Sequence, residues 1–193
     1  MSLILASNSQ IRRIMLGQAG VKFEVRPSDF DEDSLKRSHA GDNEELARQL
    51  AEGKAKSIVV DPVDWVIGSD SIVSVDGIRF SKPRDRDEAA AHLRAFSERT
   101  MLLSSAVALV SEGKVDWSHA ETAHLIVRPL SETFIQSYLD AEWPDVGYCV
   151  GVFRMEGRGV TLFDQVDGSH FTILGMPLMP LLGALRERNV IAS

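Results

Sequence analysis

The first residues suited to binding a phosphate lie where a short apolar segment gives way to a helix. Ser7, Ser9, Arg12 and Arg13 belong to the segment SNSQIRR, which joins a predicted strand at 3–6 to a helix that begins near Ser9. Free backbone N–H groups and the helix dipole favour an anion at such a junction. Two arginines there oppose the dipole unless an anion binds, and the guanidinium fork matches phosphate oxygens. The alternative is a serine cap followed by two solvated arginines.

Two charged residues further along interrupt apolar patterns. Lys54 lies on the apolar stripe of a predicted helix, midway between Leu50 and Ile58, where an ammonium needs a partner or a wet cavity. Asp70 interrupts a strand-like run at 65–73, and a carboxylate there can hold a divalent metal or take a proton from water. The alternatives are a lysine that extends past the core edge and an aspartate that faces solvent.

Three further segments carry weaker signals. Lys82, between a strand and a capped helix, suits a phosphate contact or an ordinary surface position. Glu32 lies in a predicted acidic loop at 27–33 and offers either a second metal ligand or a solvated turn. Arg154 and Glu156, in the segment RMEGRG, share one face if this segment is extended, and its glycines would let a flat ligand approach. Glu156 could then accept two hydrogen bonds from guanine; the alternative is an exposed charged hairpin.

Composition excludes several classes of protein. With 193 residues, 44% of them hydrophobic, the chain can form a folded core, and its net charge of −7 disfavours nucleic acid and anionic membranes. The single cysteine, Cys149, excludes an intrachain disulfide, and no apolar run is long enough for a transmembrane helix. The histidines lack zinc-ligand spacing, and neither a Walker A sequence nor a G-x-S-x-G elbow occurs. We therefore predict a cytoplasmic protein that catalyses hydrolysis with a metal ion bound by hard oxygen ligands.

The elements that must position these residues predict a mixed α/β fold. A long antiparallel hairpin, formed by 101–110 and 114–127, excludes a purely parallel sheet. We expect two lobes around a cleft, with a boundary near residue 95. The other predicted strands are 3–6, 21–25, 65–75, 78–81, 150–154 and 160–166, and the predicted helices begin near Ser9, Asn43, Asp85, Ser131 and Pro177.

Taken together, these motifs resemble the Maf family of nucleotide pyrophosphatases, and their order and spacing span nearly the whole chain. The resemblance implies a single domain over 1–193, a fold similar to the inosine-triphosphate pyrophosphatases, and a homodimer. The matching segments are LASNS with Arg13, FEV at 23–25, SDFDE at 28–32, EGKA at 52–55, IGSDS at 67–71, DG at 76–77, SKP at 81–83, RPLS at 128–131 and GMPL at 175–178.

The resemblance also implies a reaction and roles for individual residues. Cleavage between the α and β phosphates of a nucleoside triphosphate would release a monophosphate and pyrophosphate, with Mg²⁺ or Mn²⁺ as cofactor. Asp70 would be the catalytic carboxylate, and Glu32 would assist with metal or water. The triphosphate would be bound by Ser7, Ser9, Arg12, Arg13, Lys54 and Lys82.

Some positions depart from the family pattern. Gln10 replaces a proline, which loosens the entrance to the helix. Ile11, Ser71 and Glu156 fall at positions that resemble the family's base-selecting set. Arg154 is a further candidate for base selection. Members that favour dTTP and UTP tend to have Arg, Thr and Gln there, and the branch that favours 7-methyl-GTP has Trp, Gln and Glu. Glu156 and the segment 154–163 favour a guanine-type or modified base.

Two other functions are open at this stage. The first is a nucleotide-binding regulator, for example of septum formation, with little or no turnover. The second is a phosphatase that acts on small phosphate esters and releases orthophosphate.

Overall fold

The computed structural model describes residues 1–192, which form a seven-stranded mixed sheet with helices, as predicted. The hydrogen-bonded order is β2-β1-β3-β5-β6-β7, and β4 pairs with β3. β1 is parallel to β2 and β3, whereas the β3–β4 and β6–β7 pairs are antiparallel. The strands are β1 (Leu3–Leu5), β2 (Glu24–Val25), β3 (Trp65–Val75), β4 (Ile78–Phe80), β5 (Thr100–Ser111), β6 (Lys114–Val127) and β7 (Phe163–Asp167).

Side-chain caps fix the starts of three predicted helices. Asp42, Asp85 and Ser131 each accept a hydrogen bond from a backbone N–H in the first turn of the helix that follows. Among residues 1–192, no helix has the length and apolar character needed to cross a membrane. The helices are α1 (Gln10–Gln18), α2 (Glu32–Ser38), α3 (Asn43–Lys56), α4 (Arg86–Phe96), α5 (Glu132–Glu142), α6 (His170–Ile173) and α7 (Leu178–Glu187).

The chain divides into two compact units. The first comprises Met1–Ser71, Ser104–Glu121 and Ser169–Ser193, and the second comprises Ile72–Leu103 and Thr122–Gly168. Strands β3, β5 and β6 each contribute residues to both units. The predicted boundary near residue 95 is therefore wrong, because the chain passes between units within these strands. The predicted cleft stays a prediction.

The core of the first unit covers both faces of β1. Leu3 and Leu5 belong to a buried apolar cluster to which α1 and α7 contribute, whereas Ile4 and Ala6 belong to a cluster that includes Ala55 of α3. Alternation along the strand places these two pairs on opposite faces. Because β1 and its neighbour β3 are buried in this way, the polar residues that follow β1 or interrupt β3 have a fixed backbone.

Several predicted elements differ from the structure. The acidic loop ends at Asp31, which caps α2 by accepting a hydrogen bond from the Ser34 N–H, so Glu32 begins a helix that was not predicted. The segment 150–154, predicted as a strand, forms a turn and a bend at 150–152 and has no regular structure at 153–154; Val152 adopts the left-handed region with φ of 56°. The strand predicted from residue 160 begins only at Phe163, the strand predicted at 21–25 is reduced to β2, and α6 was not predicted.

Candidate active site

The junction between β1 and α1 has the features of an anion site. Ser9 is the N-cap residue, yet its side chain makes no cap hydrogen bond within the described chain. The first turn of α1 contains no acidic residue, so no carboxylate neutralises the positive end of the helix dipole. The buried Ser7 hydroxyl accepts a hydrogen bond from the Ser9 N–H at 3.2 Å, which shapes the turn into the helix. The strand-to-helix junction predicted for this segment is confirmed.

Lys54 joins two carboxylates that the sequence separates widely. Its Nζ lies 2.5 Å from Oδ1 of Asp70 and 2.8 Å from Oε1 of Glu32. The Lys54 and Asp70 side chains are only 11% and 10% exposed, so water screens this pair weakly. The partner predicted for a lysine on a packed helix face is thus Asp70, together with Glu32. The structure brings three of the predicted site residues into one cluster.

The absence of two side chains explains why these residues meet. A Cβ atom at Gly68 would lie 1.9 Å from the Ala51 carbonyl oxygen, so only glycine lets β3 approach the backbone of α3 this closely. A Cβ atom at Gly53 would lie 2.5 Å from the ring of Phe30, which packs over the helix at that point. Because the first contact draws Asp70 towards Lys54 and the second holds the segment before Glu32, both carboxylates reach one ammonium group.

The lysine charges control the protonation of Glu32. Burial opposes its charged form, but the charge of Lys54 and hydrogen bonds from Lys36 and Lys54 lower the pKa of Glu32 to about 2. Lys36 donates to the second oxygen, Oε2, at 2.8 Å. Burial lowers the pKa of Lys36, but its hydrogen bond to Glu32 and the charges of Asp70, Glu32 and Asp33 outweigh this effect, so the net shift is upward. Glu32 is therefore charged throughout the physiological pH range.

Replacing Glu32 with glutamine is expected to lower the free energy of unfolding at pH 7 by about 1–2 kcal/mol, allowing for solvent screening. The folded-state pKa of Glu32 lies at about 2, below the usual glutamate pKa of 4.5, so its contribution is complete above about pH 4.5. The contribution is lost as the pH falls towards 2. Urea unfolding of both proteins from pH 7 to pH 3 should therefore show a difference that shrinks below pH 4.5. Glu112→Gln, in the exposed turn between β5 and β6, is the control; a pH-independent difference would contradict the prediction.

One carboxylate oxygen of the cluster has no hydrogen-bond partner. Within residues 1–192, Oδ2 of Asp70 is buried and unpaired, whereas Oδ1 accepts from Lys54. No group of three or more His, Cys, Asp or Glu side chains that could hold a metal occurs in this part of the chain. A divalent ion would therefore find carboxylate oxygens from Asp70 and Glu32, and its remaining ligands would be phosphate oxygens and water. The hard-oxygen donor set fits Mg²⁺ or Mn²⁺ on these terms.

The other predicted residues of the first unit differ in exposure. Arg12 is buried and donates hydrogen bonds to protein acceptors, whereas Arg13, next to it on α1, is exposed. Ile11 is half-buried. Ser71 is also half-buried, and its hydroxyl lies 2.9 Å from the hydroxyl of Ser105, a contact that the sequence did not indicate. Of the two arginines, only Arg13 presents its side chain to solvent.

The second unit holds Lys82, Arg154 and Glu156. Lys82 and Glu156 are exposed, and Arg154 forms ion pairs with Glu142 and Asp145 at 3.0 and 2.9 Å. Residues 155–157 form a turn, so the extended conformation that would place Arg154 and Glu156 on one face does not occur. A Cβ atom at Gly159 would lie 2.4 Å from the Arg154 carbonyl oxygen. Only glycine at position 159 therefore lets the Arg154 backbone approach this closely.

The pKa of the Cys149 thiol responds to the charges of these three residues. Burial raises the pKa of Cys149 to about 11, and the charge of Glu156 acts in the same direction. The charges of Arg154 and Lys82 oppose this shift, so all three predicted residues act on one position. Lys82, Arg154 and Glu156 therefore lie close enough to Cys149 for their charges to affect the pKa of its thiol.

Comparisons with known proteins agree with the motifs. A family model described as Maf-like protein matches residues 2–188. The nucleoside triphosphate pyrophosphatase of Nitrobacter winogradskyi is 42% identical over 98% of this chain and 95% of that protein. The 7-methyl-GTP pyrophosphatase of Rhizobium meliloti is 42% identical over 98% and 97%. The solved structure of the Staphylococcus aureus Ham1 protein is 16% identical over 98% of this chain and 100% of that chain, with a TM-score of 0.43. The chain belongs to the Maf-like protein family.

Proposed function

We propose that this chain hydrolyses nucleoside triphosphates between the α and β phosphates, releasing a nucleoside monophosphate and pyrophosphate. The observation that carries the proposal is the cluster formed by the buried Asp70 with the half-buried Lys54 and Glu32. The Arg12 guanidinium links this cluster to the anion site by donating to the Ser69 carbonyl oxygen and to the Ser7 hydroxyl. The printed names of the relatives, nucleoside triphosphate pyrophosphatase and 7-methyl-GTP pyrophosphatase, support the same reaction.

The two oxygens of Asp70 divide the chemistry between them. Oδ1 is held by Lys54, so the carboxylate has a fixed orientation, and Oδ2 is free to accept a proton. Water whose proton passes to Oδ2 attacks the α-phosphorus, and the bond from this phosphorus to the bridging oxygen breaks. Pyrophosphate leaves with the electron pair of that bond. The proton on Asp70 then returns to solvent, which restores the carboxylate.

The cationic residues stabilise the charge that the reaction develops. In the resting cluster, Lys54 pairs with both Asp70 and Glu32, and a bound triphosphate would compete for the same ammonium group. Ser9, Arg13 and the N-terminus of α1 would bind phosphate oxygens, and Lys82 would add a further positive charge. A divalent cation held by Asp70 and Glu32 would supply further neutralisation of the phosphate charge and lower the barrier to attack.

Glu156 is proposed to select a guanine-type base by accepting hydrogen bonds from its N1–H and N2–H groups. Replacing it with glutamine keeps the shape but removes a charged acceptor, so kcat/KM for GTP and 7-methyl-GTP should fall by about 10- to 100-fold. The value for UTP, which offers a different edge, should change less than about threefold. Glu112→Gln is the matched control. Equal losses for all three nucleotides would contradict a role in base selection.

A panel of canonical and modified nucleotides with Mg²⁺ or Mn²⁺, assayed for pyrophosphate, tests the proposed reaction. Release of pyrophosphate supports it. Orthophosphate as the first product would instead favour a phosphatase, and tight binding without turnover would favour a nucleotide-binding regulator. The homodimer implied by the resemblance stays a prediction, as do the cytoplasmic location and the exclusion of nucleic acid and membranes, which rest on composition. Sedimentation of the purified protein tests the first of these.

A further inference from the structure

Arg12 occupies an unusual position for a residue expected to bind substrate. It lies in the first turn of α1 and is only 9% exposed. A buried guanidinium needs acceptors for its N–H groups, because leaving them unpaired away from water is costly. Burial also lowers the pKa of Arg12 from its usual value, and the charges of Asp70 and Glu32 oppose that shift. Its hydrogen bonds therefore indicate what this residue does.

Protein acceptors occupy most of the Arg12 guanidinium. Nε donates to the Gly175 carbonyl oxygen at 2.9 Å. Nη1 donates to the Ser69 carbonyl oxygen at 2.8 Å and, more weakly, to the Ser7 hydroxyl at 3.4 Å. Nη2 donates to the Ser71 hydroxyl at 3.2 Å. A guanidinium has five N–H groups, and bidentate binding of phosphate needs two parallel ones. Arg12 as folded has no such pair left for a phosphate.

These acceptors lie on either side of Asp70 in β3. Alternation along the strand places Ser69 and Ser71 on one face and Asp70, which contacts Lys54, on the other. The Ser69 and Ser71 hydroxyls also donate to the Gly175 carbonyl oxygen, at 3.1 and 3.3 Å. The Gly175 carbonyl oxygen thus accepts hydrogen bonds from Arg12 and from both neighbours of Asp70.

The position of Gly175 depends on its lack of a side chain. Its φ of +101° lies in the region that favours glycine. A Cβ atom there would also lie 3.3 Å from the Ser71 hydroxyl. The carbonyl group of Gly175 can therefore meet all three donors only because residue 175 is glycine.

We infer that Arg12 is a positioning residue, which fixes the β3 segment around Asp70, and that it is not a ligand of the triphosphate. The exposed neighbour Arg13 is then the arginine of α1 that meets phosphate. This inference rests on the proposed function, because it assigns Asp70 to the chemical step. The inference gives different roles to two adjacent arginines that the sequence analysis assigns to the same role.

Matched substitutions of the two arginines test the inference. Lysine keeps the charge, but its single nitrogen cannot reach Gly175, Ser69 and Ser71 together. We expect Arg12→Lys to lower kcat by about 10- to 100-fold through misplacement of Asp70. Its dissociation constant for an α,β-methylene nucleotide should stay within about threefold of wild type, and guanidinium ions should partly restore turnover to Arg12→Ala. Arg13→Lys should instead weaken nucleotide binding by about 10-fold, with a smaller change in kcat.

Two further measurements keep the outcome decisive. If Arg12→Lys fails to fold, as judged by its melting temperature, Ser69→Ala removes one donor to Gly175 and should show the same pattern with a smaller loss of kcat. Loss of nucleotide affinity in Arg12→Lys equal to that in Arg13→Lys, with kcat retained, would overturn the inference. Absence of pyrophosphate release by the wild-type protein would reject the proposed function separately, and the two dissociation constants would still test whether Arg12 binds phosphate.

Discussion

Replacing Asp70 with asparagine is expected to lower kcat by about 100- to 10,000-fold, the usual contribution of a general base. The amide keeps an oxygen that can accept the Lys54 hydrogen bond now made to Oδ1, so the cluster should retain its geometry. It cannot take a proton from water at the position of Oδ2. The dissociation constant for an α,β-methylene nucleotide should therefore change much less than kcat, which steady-state kinetics and calorimetry would measure.

The matched control for this substitution is Asp61→Asn, because Asp61 is exposed in the loop between α3 and β3. Both variants should melt close to the wild-type protein, and only Asp70→Asn should lose turnover. Turnover within about twofold of wild type would reject Asp70 as the base, since removing a general base costs at least about 100-fold.

Replacing Lys54 with methionine should lower kcat and at the same time strengthen binding of Mn²⁺ without nucleotide. The ammonium lies 2.5 Å from one carboxylate and 2.8 Å from the other, so it occupies the region where a divalent ion would contact both. Without that charge, Asp70 and Glu32 repel each other and attract another cation. We expect kcat to fall by about 100- to 1,000-fold, as when one charge-stabilising donor is lost. Electron paramagnetic resonance of free Mn²⁺ would measure the change in affinity.

Lys56→Met on the same helix is the control, because Lys56 is exposed. Mn²⁺ affinity in Lys54→Met equal to that of Lys56→Met would contradict competition between the ammonium and a metal. That result would not depend on turnover, so it tests the metal site separately from the reaction.

Local rules were sufficient for the elements that carry strong local signals. Strand β3 matches its prediction over 65–75, and the capping residues Asp85 and Ser131 begin helices where their types indicate. For the first turn of α2, the acidic run around Asp31 predicts a loop, because such runs are typical of turns. The Ser34 N–H that pairs with Asp31 determines the outcome instead.

For the site, the sequence indicates candidate residues, but it does not indicate most of their contacts. The position of Lys54 on an apolar stripe predicted a partner, and the structure supplies Asp70 from a strand sixteen positions away. Nothing in the local sequence distinguishes Arg12 from Arg13, because the acceptors of Arg12 other than Ser7 come from β3 and from Gly175, which are remote in sequence. Similarly, the left-handed Val152 breaks the strand expected at 150–154. Valine favours strands, so the pattern of residue types indicated the opposite.

The contact at Gly68 places backbone against backbone, which has a consequence for how a ligand meets this protein. The spacing between α3 and β3 is set by main-chain atoms, with no intervening side chain that could change rotamer. The backbone entropy cost of bringing Lys54 close to Asp70 is therefore met when the chain folds. Nucleotide binding then requires little further ordering of the backbone at this site. By the same geometry, substitutions that shift α3 along β3 should displace Lys54 from the Asp70 carboxylate even when they lie at residues that no ligand touches.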